Sequence, residues 1–183
     1  MIKNNVGLIV KLYVNHIALA IYGLLMAIIG MFIGARNGGT QAFTYIFGAV
    51  AVVLYLCILY VNFWELGAKD KIKIDGGRMK FSPFNGLLIS LVANVPTVLF
   101  GLLGFASRLA PSSEALEVCR IIYHYYNGTY ISFLGALSDV FSPIYVLTIL
   151  PGLLVSFGSY VLGAKGFKCI FPEPKKQQEQ HTK

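Results

Sequence analysis

The residues of this chain with the types and spacing for chemistry are few. Asn94, Pro96 and Thr97 sit together in one long apolar run, and Thr148 and Pro151 in another. A proline inside a helix removes one amide and pushes on the carbonyl four residues back, here Val92 and Leu147. A carbonyl freed in hydrocarbon must find a partner. Neutral amide and hydroxyl side chains beside such breaks are the chemistry of solute or ion binding, and paired interruptions near a midplane point to such sites. Nothing equally good exists for catalysis. His124 with Glu117 or Asp139 offers acid–base groups without a positioned nucleophile, which reads as a histidine of an interfacial belt. His16 is placed at an interface, His124 outside and His181 in the tail, so no metal site is predicted. Cys57, Cys119 and Cys169 form no C-x-x-C pair. Gly-x-Ser-x-Gly, His-Glu-x-x-His and Walker-type loops are absent, so no catalytic residue and no cofactor are expected.

The elements that carry these residues follow from charge. Of the 183 residues, 56% are apolar and 13% charged, against about 25% in soluble domains. Runs without Asp, Glu, Lys or Arg cover 12–35, 37–64, 81–107 and 140–164. Each exceeds the ~20 helical residues that a ~30 Å bilayer core needs. An all-α, polytopic membrane protein is therefore predicted. Its single four-helix domain, 1–171, has spans at about 12–35, 42–64, 84–107 and 142–164, and a disordered cytoplasmic tail fills 172–183. A fifth charge-free run, 121–138, is too short and too polar for a span.

With both termini on one side, 12 of the 15 Lys and Arg fall there, which predicts cytoplasmic termini in a cell membrane. The net charge of +7 is then a signature of topology, and no nucleic acid partner is expected. The cytoplasmic loop alternates at Lys71-Ile72-Lys73-Ile74 and at Arg78-Met79-Lys80-Phe81, around Asp75-Gly76-Gly77. That pattern predicts a short β-hairpin with Lys71, Lys73, Arg78 and Lys80 on one face. Such a face sets topology, or docks acidic lipid or a soluble partner. Across the membrane, Glu114 and Glu117 follow Pro111-Ser112-Ser113, so a helix begins there and runs into Tyr123, Tyr125 and Tyr126. Its tyrosines predict an interfacial helix on the outer leaflet.

Small residues recur at helical spacing: Gly23, Ala27, Gly30 and Gly34; Gly86, Ser90, Asn94, Thr97, Gly101 and Gly104; Thr148, Gly152, Ser156, Ser159 and Gly163. Such rows let helices approach closely in lipid. Leu-Gly-Ala-Lys also occurs twice, at 66–69 and 162–165, each leucine two positions after an aromatic, Trp64 and Tyr160. A duplicated helical hairpin and recurrent membrane-exit chemistry both explain it.

Trp64-Glu65-Leu66-Gly67-Ala68-Lys69-Asp70, Gly86-Leu87 and Asn94-Val95-Pro96 together resemble a pattern in uncharacterised small four-span membrane proteins of Gram-positive bacteria. The resemblance covers about residues 62–98 and implies a bacterial cell membrane, with no activity attached. The first functional expectation is a non-enzymatic accessory or structural subunit of a membrane assembly. Its partners would be membrane lipids and other membrane subunits, or further copies of the chain. The second is a small-solute or ion transporter or channel with its site at Asn94, Pro96, Thr97, Thr148 and Pro151. A lipid-modifying enzyme ranks third.

Overall fold

The computed structural model describes residues 5–109, 114–141 and 143–167. The long apolar runs become helices because only helices satisfy every backbone group within the segment. In chain order they are α1 (Val6–Arg36), α2 (Ala42–Asp75), α3 (Asn85–Ala93), α4 (Val95–Leu109), α5 (Glu114–Tyr126), α6 (Ile131–Val140), α7 (Ile144–Leu147) and α8 (Ile149–Ala164). A 3-10 turn, Gly128–Tyr130, joins α5 to α6. α1, α2 and the stretch Ile144–Ala164 are each long and apolar enough to cross a membrane. α3 and α4 qualify together as a pair bent by 56°, which makes up to four spans. The chain is a helical membrane protein.

The end of the bundle where α2 and α8 finish carries Lys69, Lys71, Lys73 and Lys165, and is called the basic end below. α1 leaves it and α2 returns to it, with Gly30 against Thr44 and Gly34 against Thr40 near the far end. α3 starts again at the basic end and packs antiparallel on α8. Gly86 lies on Tyr160, and Ser90 Oγ donates to Ser156 Oγ at 3.1 Å. All the small residues of α1 and α8 in the predicted rows are buried, so these rows are the seams of the bundle.

The two Leu-Gly-Ala-Lys copies pack on each other. A Cβ on Gly67 would collide with Tyr160 O and lie 2.8 Å from Ala164 N. A Cβ on Gly163 would collide with Trp64 O and lie 3.0 Å from Ala68 N. The contact is reciprocal at the same offsets, so α2 and α8 cross about a local two-fold axis, as parallel helices do through small residues. Trp64 Nε1 then donates to Phe167 O at 2.9 Å, holding the end of α8.

The predicted β-hairpin does not form: the described residues contain no strand, and α2 runs on through Lys71-Ile72-Lys73-Ile74. Two ion pairs hold this last turn helical, Lys71–Asp75 at 2.6 Å and Lys73–Asp70 at 2.8 Å. The Gly76-Gly77 turn signal is real but closes a helix. Gly77 has φ of +68°, Arg78 N–H donates to Lys73 O at 2.9 Å, and Gly77 N–H donates to Ile74 O, a Schellman-type stop.

The segment 114–140 also departs from the surface helix expected. α5 turns back along α4, with Tyr123 beside Gly101, and descends into the bundle. Its 3-10 turn is wedged against α1, where a Cβ on Gly23 would lie 2.5 Å from Gly128 O and from Thr129 Cα. Gly23 is two residues past the midpoint of α1. α6 climbs back, placing Ser132 on Gly48 and stacking Phe133 on Tyr45, near the start of α2. The segment is a helical hairpin that enters from the far end, reaches the middle and returns. The Pro111-Ser112-Ser113 start signal lies outside the described residues, as do Cys169, His181 and the tail 172–183.

Candidate functional site in the middle of the bundle

Around the tip of this hairpin lies a layer of neutral polar side chains. α1 supplies His16, α2 Tyr55, α5 Tyr123 and Tyr126, the tip Asn127, Thr129, Tyr130 and Ser132, and α7–α8 Tyr145 and Thr148. Tyr123, Tyr145, Asn127 and Thr129 are each no more than 2% exposed. The rings interlock: His16 sits 4.6 Å from Tyr126 and 5.9 Å from Tyr55, and Tyr55 meets Tyr130 edge-on at 6.0 Å.

Much of this polarity serves the broken helices. Pro96 frees the Val92 carbonyl, and the partner comes from another helix: Tyr13 Oη on α1 donates to Val92 O at 3.2 Å. At the second break Tyr123 Oη donates to Tyr145 O at 2.5 Å, and its oxygen lies 2.7 Å from Thr148 Oγ1. His16 Nε2 lies 3.1 Å from Tyr126 O. A carbonyl can only accept, so Nε2 carries a proton and donates to it. His124 Nε2 is 3.3 Å from Tyr145 Oη, with the two rings stacked. On the same helix Arg120 Nε donates to Glu117 at 2.9 Å, and this carboxylate raises the pKa of the half-buried guanidinium.

Among the described residues, three hydroxyls are left over. Thr129 Oγ1, Tyr130 Oη and Ser132 Oγ are buried with no hydrogen-bond partner. All three belong to the hairpin tip or the first turn beyond it. A buried polar group without a partner costs ~1–3 kcal/mol, so three together are a surplus of binding capacity. Each hydroxyl donates and accepts. The residues named in the layer include no Asp, Glu, Lys or Arg, the groups that mark ion pathways in membranes, which favours a neutral solute. Among the described residues no three His, Cys, Asp or Glu gather as metal ligands.

The five residues predicted from the prolines divide. Thr97 is 3% exposed and neighbours the Tyr126 hydroxyl, and Thr148 joins Tyr123, so both reach the layer through α5. Asn94 turns back to donate to Ser90 O at 2.8 Å, Pro96 is half-buried at the bend, and Pro151 is exposed. His16, Tyr55 and the hairpin tip were not predicted. The signal for the tip is the polarity of 121–138, an 18-residue charge-free run too polar for a span.

At the basic end, Asp70 is buried and accepts from Lys73 Nζ and from Tyr160 Oη at 3.1 Å, while Asn85 Nδ2 donates to Tyr160 Oη at 3.2 Å. This network ties α2, α3 and α8. Of the four predicted docking residues, Lys71 and Lys73 are engaged by carboxylates on α2, and Arg78 and Lys80 are exposed beyond it. Comparison with protein-family models, curated proteins and solved structures finds no match to this chain.

Proposed function

We propose that this chain is a non-enzymatic, four-span protein of a bacterial cell membrane that binds a small polar solute or ion and lets it cross, as a carrier or channel. The observation that carries this reading is the trio of partnerless buried hydroxyls, Thr129, Tyr130 and Ser132, at the tip of a hairpin that stops halfway through the bundle. Non-spanning backbone at membrane depth is tolerated where protein buries it or where it lines a cavity, and transporters put their sites at such places. The orientation has both termini in the cytoplasm, so that the basic end faces the anionic inner surface and the hairpin enters from outside.

The accessory-subunit reading ranks second. It rested on the small-residue rows, the basic hairpin and the lack of chemistry, and Gly23, Gly30, Gly34, Gly67, Gly86, Gly101 and Gly163 are filled by other parts of the same chain.

Proteoliposomes carrying the purified protein test the proposal. Stopped-flow light scattering with glycerol, urea and erythritol gradients, and dye-reported Na⁺ and K⁺ flux, are compared with empty vesicles. At least one permeant should cross faster, and Thr129→Val with Ser132→Ala should remove the gain. No faster permeant, together with a stoichiometric protein partner on mild-detergent purification, would favour the accessory subunit instead.

A further inference from the structure

A cleft of about 230 Å³ opens at the basic end between the first turns of α1 and the last turns of α2. Leu8 and Leu66 are its apolar lining, and Lys11, Asn62, Glu65 and Lys69 its polar lining. The only ion pair between its charges is loose: Lys69 Nζ is 3.9 Å from Glu65, and both side chains are well exposed. The cleft therefore carries two ammonium groups against one carboxylate. Gly7, also in its wall, has no heavy atom within 4 Å of where a Cβ would stand, so the mouth is open.

From Lys11 an exposed apolar row climbs α1 through Val14, Ala18, Ile21 and Leu25, at steps of 3, 4, 3 and 4. These residues share one helical face. Over 14 residues at 1.5 Å each the row is about 21 Å long, more than the ~15 Å depth of one leaflet's hydrocarbon.

We propose that this cleft seats the headgroup of an anionic glycerophospholipid, its phosphate between Lys11 and Lys69 and an acyl chain on the Val14–Leu25 row. Charge complementarity selects the ligand. A phosphodiester of charge −1 balances the net +1 of the cleft, and two ammonium groups donate to its oxygens. A zwitterionic lipid would leave that excess unbalanced. The assignment differs from a general attraction of the basic surface, because it needs Lys11 and Lys69 and not the other lysines of the same end.

The test uses the full chain in nanodiscs of phosphatidylcholine with one-tenth phosphatidylglycerol, extracted in mild detergent and read by native mass spectrometry. Wild type should keep one phosphatidylglycerol through a high-salt wash. Lys11→Gln with Lys69→Gln should lose it at least tenfold, while Lys80→Gln with Lys165→Gln, an equal charge change at the same end, should keep it. Glu65→Gln removes the competing carboxylate and should raise retention, a gain that misfolding cannot produce. Equal loss in both lysine pairs, retention in both, equal retention of phosphatidylcholine, or no gain with Glu65→Gln would each overturn the proposal.

Discussion

Hydroxyl side chains do two jobs in this protein, and substitution separates them. Tyr13 and Tyr123 cap carbonyls at helix breaks, so Tyr13→Phe leaves Val92 O without its donor. Unfolding of the Phe variant in detergent should show a loss of about 1 kcal/mol. The surplus hydroxyls of the hairpin tip should behave oppositely. Thr129→Val and Ser132→Ala remove buried groups that have no partner, so the fold should keep or gain thermal stability while solute flux is lost. A fall in both would assign these hydroxyls to packing. Legibility at this scale was partial. The prolines and Thr97 and Thr148 stood out in the sequence, but the partner of Val92 O did not. Tyr13 is 79 positions away, and only the meeting of α1 with α3 brings the two together.

At the scale of elements, the crossing of α2 and α8 is set by two glycines whose hydrogens face backbone. Gly67→Ala and Gly163→Ala should each destabilise by about 1–3 kcal/mol, because backbone cannot yield as a side-chain tip can. Gly158→Ala, on α8 with nothing within 4 Å, is the control and should be neutral or stabilising by up to about 1 kcal/mol. Thermal melts in one detergent order the three. The Asp70–Tyr160–Asn85 network joins the same helices to α3. A double-mutant cycle with Asp70→Asn and Tyr160→Phe should give a coupling of about 0.5–3 kcal/mol, and additivity would mean the contact contributes nothing of its own. Four residues of alternation, Lys71 to Ile74, are too few to outweigh a helix already 29 residues long, and a Gly-Gly turn closes either structure.

For the whole molecule the testable statement is topology. Both termini in the cytoplasm put the α5 start outside, so a membrane-impermeant maleimide on intact cells should label Cys119, which is partly exposed, and spare Cys169. Cys57 lies on an exposed face of α2 within the apolar span, where lipid should shield it. Labelling of Cys169 with protection of Cys119 would invert the orientation and send the hairpin in from the cytoplasm.

The sequence by itself determined that this is a helical membrane protein, where its long apolar helices lie, and which small residues form their seams. Composition and charge-free length depend only on the chain and the thickness of a bilayer. It also marked Pro96 and Pro151 as places where backbone groups come free. Tertiary structure decided what answers the first of them, the Tyr13 hydroxyl on Val92 O. Whether a polar 18-residue run lies on a membrane surface or dives into a bundle depends on whether other helices leave it a notch, and Gly23 and Gly48 leave one. The hydroxyls of Thr129, Tyr130 and Ser132 became a candidate site only once the helices around them were packed, because burial without a partner is a property of the surroundings and not of the residue.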